Sequence, residues 1–179
     1  MKRPFRHCAL GIAAGLALLA PAALQLRAPA RAGSGLEDFG RWQTHLQQCR
    51  MVHSGETGQR DTARECQLLR LDQQMQGLLT VRFLAMTTGS QLASSELVYA
   101  GVLESGSPPM LCRQGRCDPR WPMRVLVSAV APSGIDSRGL AVGVPQASVA
   151  RGQCLLVKRR ARCQAGEPGG QRWEASARW

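Results

Sequence analysis

Residues 77–85 read GLLTVRFLA, residues 96–104 ELVYAGVLE and residues 123–131 MRVLVSAVA. Each run is rich in apolar, β-branched and aromatic side chains, and each stops at turn chemistry: TTGS (87–90), SGSPP (105–109) and PSG (132–134). Short apolar runs closed by Gly, Pro and Ser are strand signals. Working outward, GLAVGV (139–144), GQCLLVK (152–158) and ARCQA (161–165) repeat the pattern, and DPRWP (118–122) blocks any helix. Residues 53–61, HSGETGQRD, form a polar loop, and ARECQLLRLD (63–72) fits a short helix or a strand. Residues 36–53 also leave both open: Phe39, Trp42, Leu46 and Cys49 recur at helical spacing, while Gly40 weakens a helix. Many short strands at turn-marked intervals predict a mainly β fold, an antiparallel sandwich or barrel with at most one short N-terminal helix.

The first thirty-two residues have a different character. Lys2, Arg3 and Arg6 precede an apolar run from Ala9 to Leu24, and Ala30 and Ala32 supply small residues for cleavage. This is the layout of a secretory signal peptide cut near Ala32. An uncleaved anchor is the rival, but about 16 apolar residues fall short of a span. After cleavage no transmembrane segment is expected, and the chain belongs in the periplasm or outside the cell. The domain organisation expected is then a signal peptide (1–32), one β domain (33–165) and a flexible tail (166–179) whose EPGGQRWEASARW lacks core periodicity.

Processing alters the charge and cysteine arithmetic. The chain carries a formal +11, which suggests a nucleic-acid or anionic-surface protein, yet five of the positive charges lie in residues 1–32, leaving +6. No specific nucleic acid is expected as a partner. Cys8 also leaves, so the seven cysteines become six: Cys49, Cys66, Cys112, Cys117, Cys154 and Cys163. An even count in an exported chain implies a disulfide framework, and six cysteines allow fifteen connectivities. Their arrangement as three neighbouring couples favours Cys49–Cys66, Cys112–Cys117 and Cys154–Cys163, the last two clamping hairpins. His45, Cys49 and His53 are spaced as a helical metal face would be, but oxidation competes for the thiolate, and neither a metal nor a cofactor is expected.

Chemistry is sparsely signalled. There is no G-x-S-x-G, H-E-x-x-H, Walker or dinucleotide fingerprint, and two histidines remain beyond residue 32. An enzyme is not expected; a small secreted enzyme with a dispersed site, or a structural envelope component without a ligand, are the alternatives. The positive feature is KRRAR, in which Lys158, Arg159, Arg160 and Arg162 would be gathered on one clamped hairpin. Arginine suits bidentate capture of phosphate, sulfate or carboxylate, so an anionic glycan, a lipid or another envelope component is the expected partner. Such charges can equally serve to keep an edge hairpin from pairing with other chains.

The order of these features resembles the bacterial invasion-associated locus B family. FGRW (Phe39, Gly40, Trp42) precedes Cys49 and the ECQL at Cys66, and an apolar strand, GLLTVRFLA, follows. Then comes a P-x-G segment with a Gly-Leu strand, APSGIDSRGLAVGV (Pro132, Gly134, Gly139, Leu140), and a C-terminal pair, Cys154 and Cys163, followed by Gln164 and Ala165. Residues 88–122 stand as an insertion against that pattern, and the last hairpin is more basic. The resemblance implies an exported β-rich protein, linked in pathogens to host-cell entry. It implies no catalytic residues.

Overall fold

Twelve strands and no helix make up the described residues of the computed structural model, which are 39–55, 62–75, 77–86, 92–144 and 146–179. The expected signal peptide lies outside them. The strands are β1 (Gly40–His45), β2 (Gln48–Ser54), β3 (Thr62–Glu65), β4 (Leu68–Met75), β5 (Leu78–Met86) and β6 (Leu92–Leu103). They continue as β7 (Leu111–Arg113), β8 (Arg116–Asp118), β9 (Met123–Asp136), β10 (Ser148–Val157), β11 (Arg160–Gly166) and β12 (Arg172–Arg178). The fold is mainly β, as expected, and residues 40–54 and 62–75 are strands rather than helix.

The hydrogen-bonded order is β3-β2-β12-β11-β10-β9-β6-β5-β4-β1-β8-β7, antiparallel except where β1 meets β8. The chain itself joins the two ends of that order. β1 and β2 are consecutive parts of one strand, β3 and β4 of the next, and they pair along both parts, Gly40↔Gln73 to His45↔Leu68 and Arg50↔Glu65 to His53↔Thr62. β2 also pairs with β12, and β4 with β5. The segments therefore make a ring of eight antiparallel strands in chain order, with β7–β8 a side hairpin between β6 and β9. The register shifts by two residues between the parts, and Cys49–Cys66 bridges the strands beside that shift, Cα to Cα 5.0 Å.

Eight strands enclose a space that side chains can fill. Period-two alternation sends Leu71, Val81, Phe83, Tyr99, Leu156 and Trp173 inward, all buried, while most arginines and carboxylates point out. A membrane-spanning barrel has the opposite distribution, an apolar outer band; among the described residues no helix is long and apolar enough to cross a membrane. Crowding requires glycine where strands pack closely: a Cβ at Gly101 would collide with the Leu126 carbonyl, and one at Gly152 with the Gln164 carbonyl. At one end of the barrel Trp42, Trp121 and Trp179 contact one another pairwise, ring centroids 5.6 to 5.7 Å apart. The opposite end holds Trp173, stacked on His53.

Two expectations are corrected. The tail expected to be flexible contains strand β12, whose Trp173, Ala175 and Ala177 are buried and whose pairing to β2 closes the ring. Its apolar rhythm rests on two alanines, which hydrophobicity registers weakly; they are small because Ala161 and Cys163 of β11 stand in register with them. GLAVGV, expected as a strand, is a turn with a single bridge, Ile135↔Ala141. Asp136 organises it by accepting from the backbone N–H of Arg138 and of Leu140, at 2.9 and 3.0 Å, so a side chain takes donors that a strand ladder would use.

Candidate functional site

The three local disulfides form as the spacing suggested: Cys49–Cys66, Cys112–Cys117 and Cys154–Cys163. In the last hairpin Cys154 and Cys163 are register partners, Cα to Cα 4.0 Å, and Lys158 and Arg159 make the turn between β10 and β11. The four basic residues of that hairpin are not equivalent. Arg159 donates from Nε to the Trp179 backbone oxygen at 3.0 Å and so is tied to the tryptophan end of the barrel. Lys158 is exposed at the turn, while Arg160 and Arg162 project from the outer face of β11.

Strand pairing adds partners that the linear sequence keeps apart. Arg160 stands opposite Arg178, and Arg162 is opposite Ser176, which is opposite Arg50 on β2. With strands about 4.8 Å apart, Arg162 and Arg50 flank Ser176 across roughly 10 Å. Two adjoining depressions cover this wall. One, of about 480 Å3, is lined by Arg50, Arg162, Glu174 and Ser176. The other, of about 590 Å3, is lined by Arg50, Glu65, Arg160 and Arg178. Arg50 and Arg178 were not singled out from sequence; only the knowledge that 172–178 is a strand would have placed them.

The two walls of the barrel treat arginine differently. On the outside of β1, β4, β5 and β6, Asp72 accepts from Arg41 at 2.7 Å and forms ion pairs with Arg82 at 2.9 Å and Arg70 at 3.2 Å, and Glu96 accepts from Arg82 at 3.0 Å. Those arginines are matched internally. Among the described residues Arg50, Arg160, Arg162 and Arg178 have no carboxylate within ion-pair distance, although Glu65 and Glu174 share their depressions. Like charges placed directly opposite on neighbouring strands repel, so the Arg160–Arg178 pair is disfavoured until an anion or counterions screen it.

The two described histidines stand apart. His45 is exposed on β1, and His53 lies parallel to Trp173 at 5.3 Å with Nε2 3.1 Å from Gln171 Oε1. Cys49, placed with them in the metal alternative, is in a disulfide, and no group of three metal-ligating residues is found among the described residues. Burial pushes the Tyr99 hydroxyl far above its ordinary range, with the Glu174 charge a smaller contribution. Asp136 is held below the ordinary carboxylate range, first by the Leu140 backbone N–H and then by the Arg138 side chain. No family model, curated protein or solved structure matches the chain.

Proposed function

We propose that this chain is an exported, non-catalytic protein of the periplasm or cell exterior that binds an anionic glycan through the arginine wall of β11, β12 and β2. The setting is the one that its resemblance to the invasion-associated locus B family implies. Three disulfides fit an oxidising compartment. The observation that carries the binding reading is the unmatched register of Arg160 with Arg178, beside Arg162 and Arg50. A flat array of guanidinium groups about 5 to 10 Å apart suits a chain with repeated charges better than one isolated phosphate. Its charges lie on exposed strands, so salt should weaken the attraction.

The test is equilibrium binding of the folded, oxidised protein to a sulfated polysaccharide, its desulfated counterpart and anionic lipid vesicles at low and high salt. Salt-sensitive binding to the sulfated chain alone supports the reading. Binding to vesicles alone, equal binding to the desulfated chain, or no binding would each overturn it.

A further inference from the structure

The end of the barrel that holds His53 and Trp173 is a second site, separate from the arginine wall. While three tryptophans gather at one end, the other contains a cavity of about 310 Å3 that reaches core side chains. Met51, Leu97 and Trp173, each no more than 6% exposed, line it together with Pro132 and Val142. Its volume is at the lower end of ligand sites, about 300–1,000 Å3, so it suits one small molecule.

Three features specify that molecule. Met51, Leu97, Pro132 and Val142 give the lining an aliphatic part beside Ser95 and Ser133, and His53 already covers one face of the Trp173 indole, which favours a flexible hydrocarbon over a flat ring. Arg64 and Thr62 line the mouth, paired in register with Met51 and His53, and Arg64 has no carboxylate partner among the described residues. Glu96, the one carboxylate among the described lining residues, is already engaged by Arg82 at 3.0 Å. In addition, the buried Trp173 Nε1–H has no acceptor among the described residues. A buried donor without a partner is costly, and a water or a ligand oxygen would relieve it.

The geometry points to a binding site for a small aliphatic carboxylate, its hydrocarbon between Met51, Leu97 and Pro132 and its head group on Arg64. Calorimetric titration of the oxidised protein with octanoate, and with octanol as the uncharged counterpart, tests this. Octanoate should bind saturably and at least about tenfold more tightly than octanol, as expected for one charge-assisted contact. Arg64→Gln should erase that preference, and Thr62→Trp, an exposed position at the mouth, should abolish binding of both with the circular dichroism spectrum unchanged. Removing Arg50, Arg160, Arg162 and Arg178 together should leave octanoate binding intact, which separates this site from the arginine wall. No saturable octanoate binding up to about 1 mM, a weak-fragment affinity, overturns the proposal. So does equal affinity for octanol, or an octanoate affinity indifferent to both mouth variants.

Discussion

Trp173 on β12 and His53 on β2 are register partners whose rings lie 5.3 Å apart and 7° from parallel. They sit on the seam where the last strand of the chain meets the first, so the closing contact of the barrel lies at the mouth of its cavity. Trp173→Ala should cost about 3–5 kcal/mol, the usual range for deleting a buried tryptophan. Trp179→Ala, at a partly buried position, should cost clearly less. Urea unfolding of the two variants checks the order; equal, small losses would mean that β12 is dispensable.

The disulfides should rank by the length of chain each closes. The separations are 17, 9 and 5 residues for Cys49–Cys66, Cys154–Cys163 and Cys112–Cys117. Chain-entropy scaling gives about 3, 2.5 and 2 kcal/mol in that order. Paired Cys→Ala variants measured by denaturant midpoint give the ranking directly. Loss of Cys49–Cys66 should be the worst for a second reason, since it holds the register shift in the long hairpin.

Tyr99 is fully buried, and its hydroxyl has no hydrogen-bond partner among the described residues. An unsatisfied buried hydroxyl costs about 1–3 kcal/mol relative to one that is paired. Tyr99→Phe keeps the edge-to-face contact with Phe83, 6.0 Å between centroids, and removes the stranded oxygen. Its melting temperature should stay level or rise. A clear fall would mean that a bound water or ligand uses the hydroxyl.

The turn at 136–140 should respond to acid. Its donors bind the ionised Asp136 carboxylate, first through the Leu140 N–H, so the lowered value favours the folded turn. That contribution is complete above the ordinary aspartate value of 3.8 and is lost as pH falls through the lowered one. The amide shifts of Arg138 and Leu140 should therefore move together below pH 3.8 and stay flat above it.

The long strands were legible because Val, Leu and Phe mark period two strongly: residues 77–85 and 96–104 fall almost wholly within β5 and β6, and 123–131 begin β9, which runs on to Asp136 through the PSG expected to end it, because Pro132, Ser133 and Gly134 still pair with β6. Cysteine spacing anticipated all three disulfides, since couples five to seventeen residues apart suit adjacent antiparallel strands. β12 was not legible, because alanine carries little hydrophobic signal and its burial depends on a neighbour far away in sequence. GLAVGV misled in the opposite sense: it is apolar, but the Asp136 carboxylate takes the backbone donors of Arg138 and Leu140 where it begins. The basic hairpin was half legible. Arg160 and Arg162 could be named from sequence, whereas Arg178 and Arg50 join them only through the pairings of β12.

The most direct measurement is the salt dependence of binding to a sulfated polysaccharide, compared across three proteins. One is the parent chain, and one carries Arg50→Gln, Arg160→Gln, Arg162→Gln and Arg178→Gln. The third loses as much charge elsewhere, through Arg113→Gln, Arg116→Gln, Arg120→Gln and Arg124→Gln. Affinity should fall with salt for the parent and the third protein alike, and the wall variant should bind weakly with a nearly flat dependence. Equal loss in both variants would make the attraction a matter of net charge and would contradict a site on β11, β12 and β2.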